Sequence, residues 1–237
     1  MENKVWNIKD DSDLKQLEKI FFFLLLLFED IFGEDTMHNE NCIVYNDVNA
    51  DCPMLIISEN PIIIRLSQES TNYWAQCIFQ LSHELCHYAI RQNKVDKAKT
   101  ISWYEEIVCE AFSLYSLEYA YQKWDLCYLS KNNRTFYKSI GQYLDKEINN
   151  TGTDIFKLCV KNNFLNEYEK IVESSRETHR NERNSFYVEI SLHPKDCKEL
   201  CNYQNYICED GITIDFEKWF SETKNSLIKS LWKIIYI

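Results

Sequence analysis

Residues 80–90 read QLSHELCHYAI and hold three side chains that could act together in catalysis. His83 and His87 are four residues apart, and Glu84 directly follows the first histidine. On an α-helix, side chains four residues apart lie on the same face, so both imidazoles could bind one Zn²⁺. The glutamate could then act as general base towards water held by that ion. The H-E-x-x-H spacing therefore predicts a metal site, provided that the segment is helical.

The periodicity around these residues favours a helix over residues 71–90, because apolar side chains recur on one stripe of a helical wheel. That stripe consists of Trp74, Ile78, Leu81, Leu85 and Tyr88. His83 and His87 fall almost opposite it, about 40° apart, with Glu84 at their flank. The alternative is a polar helix face that carries two histidines by chance, since a motif with three fixed positions is short. A third ligand would strengthen the prediction of zinc.

A second segment, SWYEEIVCEAF at 102–112, offers that third ligand. Ser102 and Glu105 have the S-x-x-E spacing of a capping box, which predicts a helix that begins at Ser102. Glu106 then lies near the first turn, and Glu110 lies one turn further on the same face. The alternative is a solvent-exposed face with two glutamates, which is the usual place of this residue type.

The polar stretch RQNKVDKAKT at 91–100 connects the two predicted helices. Its length lets the second helix fold back antiparallel to the first, which would bring Glu106 towards His83 and His87. A catalytic zinc usually has three protein ligands and one open position. Glu106 is therefore the candidate that would complete the set.

The two motifs together, HELCH at 83–87 and EEIVCE at 105–110, resemble the gluzincin clan of zinc metallopeptidases, the thermolysin-like group. In that clan, H-E-x-x-H on one helix is completed by a glutamate on the next helix. The resemblance extends over residues 62–120. It implies that Zn²⁺ is bound by His83, His87 and Glu106, that Glu84 is the general base, and that Glu110 orients a ligand imidazole.

The clan also supplies a tyrosine or histidine that stabilises the oxyanion formed when water attacks the peptide carbonyl. Candidates in this chain are Tyr104, His179 and Arg180. His179 lies in the polar stretch RETHRNERN, where a histidine is more often exposed than catalytic. The resemblance further implies an edge strand at 62–67 to which an extended peptide substrate could add; the alternative is an ordinary hairpin.

Composition restricts the function classes. The net charge is −11, which argues against a nucleic-acid-binding protein, because phosphate contacts need clustered lysine and arginine. The apolar run IFFFLLLLF (20–28) is shorter than the roughly 20 residues that span a bilayer, and no signal-peptide cleavage site follows it. We therefore expect a buried helix over 12–32 and no membrane partner.

The ten cysteines could form disulfides, but disulfide frameworks are typical of small secreted domains that lack a large core. We expect reduced, mostly buried thiols in a cytoplasmic protein. One cluster, His193, Cys197, Cys201 and Cys208, has helical spacing and could bind a second, structural zinc. The alternative is that these cysteines only pack in the core.

The expected fold is a single α+β domain over 1–237, mostly helical, with a small antiparallel sheet beside a two-helix zinc site, as in the zincins. Only four glycines and three prolines are present, which favours helices over an all-β fold. We expect strands at 54–58, 62–67 and possible strand structure at 186–192, and loop structure at 33–52. Helices are expected at 12–32, 71–90 and 102–124, at two or three places within 134–184 with a break at 148–154, and at 214–235.

The sequence thus predicts a zinc-dependent metallopeptidase that hydrolyses peptide bonds of a peptide or protein substrate, with a zinc-bound water as nucleophile and Glu84 as its base. Two alternatives remain open. One is a regulatory protease dedicated to a single protein partner. The other is a catalytically inactive zinc-binding interaction module.

Overall fold

The computed structural model describes residues 5–10, 12–70, 72–93, 99–152 and 164–235. It is mostly helical, at 66%, with one four-stranded sheet, so the predicted α+β class is confirmed. The strands are β1 (Trp6–Lys9), β2 (Cys42–Asn46), β3 (Met54–Ile56) and β4 (Ile62–Leu66). The α-helices are α1 (Gln16–Phe32), α2 (Glu34–Met37), α3 (Trp74–Gln92), α4 (Ser102–Lys123), α5 (Tyr137–Asn149), α6 (Phe164–Glu169), α7 (Arg180–Leu192), α8 (Phe216–Thr223) and α9 (Ser226–Ile235).

The chain divides into two compact units. The first consists of Met1–Gln92 with Ser113–Glu147, and the second consists of Asn93–Phe112 with Ile148–Ile237. Helix α4 is continuous across the boundary between residues 112 and 113. A single domain over the whole chain stays a prediction. Part of the predicted connector, 94–98, and residues 153–163, which include the end of the predicted break, lie outside the described residues.

The sheet belongs to the first unit and has the strand order β1-β2-β4-β3. The predicted hairpin is confirmed, because β3 and β4 pair antiparallel. The prediction of an antiparallel sheet is wrong for the other strands, since β1, β2 and β4 run parallel. The expected edge strand at 62–67 is also wrong: β4 lies between β2 and β3, and its main-chain groups already pair on both sides.

Strand β2 and helix α2 lie in the stretch 33–52, for which a loop was expected, so that expectation is wrong. The residues of β2, CIVYN, alternate in burial, with Cys42 and Val44 facing the core. The apolar run is too short to stand out among polar neighbours. It forms a strand because strands on both sides of it supply hydrogen-bond partners.

Helix α1 confirms the predicted N-terminal helix. Its apolar run buries Phe21, Leu24 and Phe28 completely. The indole of Trp6 on β1 packs between Phe21 and Tyr88 of α3, at ring-centroid distances of 5.0 and 4.8 Å. These contacts fix α3 against the sheet. Within the described residues, no helix is both long and apolar enough to cross a membrane.

The buried thiols agree with the expected packing role of cysteine. Seven of the nine described cysteines are buried. Burial raises the pKa of Cys42 to about 12 and that of Cys127 to about 11. These two thiols therefore stay protonated at neutral pH and behave as small apolar side chains.

In the second unit, the possible strand at 186–192 is wrong, because these residues belong to α7. Tyrosine, valine and isoleucine favour strands by propensity, but Phe186 and Ile190 are four residues apart and both are completely buried. Packing of this helical face overrides the local preference. The helix expected at 214–235 is present as α8 and α9, which are separated at Lys224, a residue in the left-handed conformation.

Helix α4 begins at Ser102, as predicted, but its first amides are capped from outside the helix. The carboxylate of Glu169, at the end of α6, accepts hydrogen bonds from the amides of Ser102 and Trp103, at 2.8 and 2.9 Å. A carboxylate at this position also complements the positive end of the helix dipole. Glu169 thus fixes the turn of α4 that precedes Glu106.

We expect the change Glu169→Gln to lower the free energy of unfolding by about 1 kcal/mol, because the capping charge is lost. Urea unfolding followed by circular dichroism measures this difference. The matched control is Glu167→Gln on the same helix, since Glu167 is exposed and pairs with Lys170 in solvent. Its effect should stay below about 0.5 kcal/mol. Equal losses in both variants would show that the cap does not stabilise the helix start.

Candidate metal centre

The two histidines of the H-E-x-x-H pattern lie on α3 and project the same way, as the spacing predicts. Their Nε2 atoms are 3.1 Å apart, and the ring centroids are 4.8 Å apart. His83 and Glu84 are each only 2% exposed, and His87 is half-buried. Helix α3 is buried on its apolar stripe and on the opposite face as well, so these polar side chains lie inside the protein.

Glu106 on α4 completes a group with the two histidines. Each of His83, His87 and Glu106 offers one ligand atom, and the three atoms lie within 4.8 Å of one another. Among the described residues, no other group of three or more histidine, cysteine, aspartate or glutamate side chains is gathered in this way. The group is buried and could hold a metal ion. These are the three residues that the sequence predicts as ligands.

The alternative cluster at the end of the chain is not gathered in the part that the structure describes. His193, Cys197, Cys201 and Cys208 lie in and around a 3₁₀ helix, Pro194–Tyr206. Its geometry does not keep residues four apart on one face, as an α-helix would. The thiol of Cys197 donates to the carbonyl oxygen of His193 at 3.4 Å. A structural metal at these residues is therefore not supported.

Glu106 has a cationic neighbour that the sequence analysis did not single out. Nη2 of Arg176 lies 3.4 Å from Oε2 of Glu106. The carboxylate is buried, whereas the arginine side chain is 33% exposed. Arg176 begins a short 3₁₀ helix, Arg176–His179, in the second unit. Arg176 lies three residues before the candidate His179, which is one turn of a 3₁₀ helix. This spacing is the feature of the sequence that could have identified Arg176.

Glu110, one turn after Glu106, contacts two basic side chains of the second unit. Its Oε2 lies 3.3 Å from Nε2 of His179 and 3.4 Å from Nη1 of Arg183. All three side chains are buried. The role of Glu110 in orienting a ligand imidazole stays a prediction. In the structure, the carboxylate of Glu110 forms an ion pair with the buried Arg183.

The expectation that His179 is exposed is wrong, because the side chain is completely buried. Its Nδ1 forms a hydrogen bond with the hydroxyl of Tyr168, and its Nε2 faces Glu110. Burial, together with the charge of Glu110 and three further glutamates, raises the pKa of Tyr168 above its usual range. Tyr168 therefore keeps its proton and can donate it in this bond. The two ring nitrogens of His179 thus face Tyr168 and Glu110, both in the second unit.

The other candidate oxyanion donors have different surroundings. Tyr104 is completely buried, and its hydroxyl donates to the carbonyl oxygen of Leu200 at 3.3 Å. Its ring packs against Tyr203 at a centroid distance of 4.6 Å. This position favours a packing role. Arg180 is half-buried at the first residue of α7.

Comparisons of the chain with protein-family models, with curated proteins and with solved structures give no match. Any functional proposal therefore depends on the residues of this chain and on their geometry.

Proposed function

We propose that this protein is a zinc-dependent metallopeptidase. The proposal is carried by one observation, the buried group of His83, His87 and Glu106, in which the first histidine is followed directly by Glu84. Two imidazoles and one carboxylate are the ligand set that leaves one coordination position of a catalytic zinc open. Glu84 is adjacent in sequence to a ligand and is equally buried.

The donor atoms fit zinc better than the common hard cations. Calcium and magnesium prefer sites made entirely of oxygen ligands, whereas imidazole nitrogen suits zinc. Two ligands at about 2.0–2.1 Å from a tetrahedral zinc are roughly 3.4 Å from each other. The Nε2 atoms of His83 and His87, at 3.1 Å, are close to that separation. The glutamate adds one negative charge to two neutral nitrogens, which lowers the cost of burying a divalent ion.

In this proposal, the metal, when bound, supplies Lewis-acid chemistry that polarises a substrate carbonyl and acidifies water. Glu84 accepts the proton of the attacking water and delivers it to the amine that leaves. The burial of Glu84 keeps bulk water from competing for that proton. We assign to Arg176 the role of stabilising the negative charge that develops on the oxyanion, because its guanidinium is beside Glu106 and remains partly exposed.

The burial of the site favours a selective enzyme over one that degrades proteins generally. His83 and Glu84 are almost inaccessible, and such burial restricts which peptides can reach the candidate base. The second candidate function is therefore a regulatory protease dedicated to one protein partner. It predicts slow cleavage of random peptides and rapid cleavage of one folded or partly folded substrate.

Metal content tests the proposal. We expect one zinc per chain in the purified protein, as measured by elemental mass spectrometry. Removal by a chelator should lower the melting temperature by about 10 °C, because free zinc at about 1,000 times its dissociation constant stabilises the native state by about 4 kcal/mol. Zinc added back should restore the melting temperature, and magnesium should not. A protein that contains no zinc and takes none up would contradict the proposal.

A further inference from the structure

Helix α1 exposes large apolar side chains on the side that does not face the core. Phe22 is 48% exposed and Leu26 is 64% exposed, although they belong to the same apolar run as the buried Phe21 and Leu24. Across from them, Leu126 and Tyr128 are 62% and 58% exposed. Single exposed apolar residues are common, but a contiguous patch of this kind marks an interaction surface.

These side chains line one groove of the first unit, which we call the α1 groove. Its volume is about 440 Å³, and its lining residues are Lys15, Glu18, Lys19, Phe22, Phe23, Leu26, Leu126 and Tyr128. One wall is α1, and the other is formed by the 3₁₀ helices Trp124–Leu126 and Tyr128–Lys131. The helical rise gives the stretch from Lys15 to Leu26 a length of about 17 Å, or three helical turns.

Positive charge collects along the α1 groove. Nζ of Lys131 and Nζ of Lys19 lie 3.9 and 4.9 Å from the centre of the Tyr128 ring. Among the lining residues that the structure describes, Lys15 and Lys19 are basic and Glu18 is acidic, whereas Lys131 lies beside the groove, against the ring of Tyr128. In a chain with a net charge of −11, this is a local reversal of sign. The cation–π contacts hold two of the ammonium groups beside the apolar surface.

The shape and the charge of the α1 groove select among possible occupants. A second copy that packed with twofold symmetry would bring the same lysines together, and like charges would repel. A bilayer is flat, so it would leave a concave groove unfilled, and anionic lipids would repel the rest of this acidic chain. An amphipathic helix with acidic residues beside its apolar stripe would fill the groove and neutralise its lysines.

We propose that the α1 groove is a docking site for an acidic amphipathic helix of a partner protein. The apolar stripe of that helix, with residues at positions i, i+3 or i+4, and i+7, contacts Phe22, Leu26 and Leu126. Its carboxylates pair with Lys15, Lys19 and Lys131. This interaction does not depend on metal binding or on hydrolysis.

The test uses the full chain and a defined probe. The probe is an 18-residue peptide of leucine, glutamate and glutamine that carries leucine at helical spacing, labelled with fluorescein. Fluorescence anisotropy in 50 mM NaCl should give saturable binding, weakened at least about tenfold in 300 mM NaCl. A peptide of the same composition with its leucines scattered should bind at least about tenfold more weakly.

Two variants separate the apolar from the electrostatic contribution. Leu26→Ser with Leu126→Ser, and Lys19→Glu with Lys131→Glu, should each raise the dissociation constant at least about tenfold. The matched controls are Leu192→Ser and Lys138→Glu, which change exposed residues outside the groove and should leave binding unchanged. Lys19 is half-buried and the other replaced residues are exposed, and circular dichroism verifies that the variants are folded.

Three results would overturn the proposal. The first is equal affinity of the groove variants and the controls for the probe. The second is binding to vesicles of 70% phosphatidylcholine and 30% phosphatidylglycerol that the groove variants abolish, since the surface would then contact a membrane. The third is a concentration-dependent dimer that the same variants dissociate, which would make a second copy the occupant.

Discussion

The variant Glu84→Gln should lose peptide hydrolysis and keep its metal. Glutamine has nearly the same shape as glutamate but cannot accept the proton of water, so the general base is removed while the ligands stay in place. The expected loss in kcat/KM is at least about 100-fold. Cleavage of a quenched fluorescent peptide library measures the rate, and the zinc content of the same preparation shows that the site is still loaded.

The control for this variant is Glu59→Gln, which makes the same chemical change at an exposed loop residue of the first unit. It should retain full activity and zinc. Equal cleavage by the Glu84→Gln and wild-type proteins would remove Glu84 from its role. Loss of zinc together with activity would instead mean that Glu84 supports the ligands. If the wild-type protein cleaves no library peptide, the same pair of variants is compared on partner proteins.

The second large effect is expected for Glu106→Gln, which should weaken zinc binding at least about 100-fold. Even the mutation of a residue that only hydrogen-bonds to a metal ligand typically lowers metal affinity about 10–100-fold. The amide of glutamine is a neutral and weak zinc ligand. Competition with a chromophoric chelator measures the dissociation constant without any need for a substrate. Activity should fall in parallel and recover partly at high zinc concentration.

Glu105 provides a matched control because it is the neighbouring glutamate on the same helix. Its Oε1 accepts the hydrogen bond from the hydroxyl of Tyr203 in the second unit. Glu105→Gln should therefore lower stability by about 1 kcal/mol and leave zinc affinity unchanged. Unchanged zinc affinity in Glu106→Gln would disprove the third ligand. Loss of zinc in Glu105→Gln instead would place the ligand one residue earlier.

The helices that carry the candidate ligands are predictable from sequence because their determinants are local. The stripe from Trp74 to Tyr88 has the helical period, and the S-x-x-E spacing at 102–105 predicts the start at Ser102, although the carboxylate that caps this start belongs to the distant Glu169. The spacing of His83 and His87 then follows from helix geometry alone. The predicted third ligand needed one further assumption, that the second helix returns towards the first.

The elements that the sequence analysis missed depend on partners distant in the chain. Strand β2 is five residues long and is stabilised by β1 and β4, which its own residues do not identify. The basic side chains around Glu106 and Glu110 of α4 come from residues about 70 positions later in the chain, in a stretch whose composition is that of an exposed segment. Buried charge pairs of this kind follow from packing, and a single sequence does not contain that information.

The contacts of Glu106 with Arg176 and of Glu110 with His179 join two helices of different type. Glu106 and Glu110 are four residues apart on an α-helix, a rise of about 6 Å, and Arg176 and His179 are three residues apart on a 3₁₀ helix, also a rise of about 6 Å. The spacing of the two carboxylates along α4 therefore equals that of the two basic residues along the 3₁₀ helix. If the segment were α-helical, its rise over three residues would be about 4.5 Å, and the two spacings would differ by about 1.5 Å. A residue inserted between Arg176 and His179 would change the spacing of these two side chains along their helix. That spacing would then no longer match the spacing of Glu106 and Glu110 along α4.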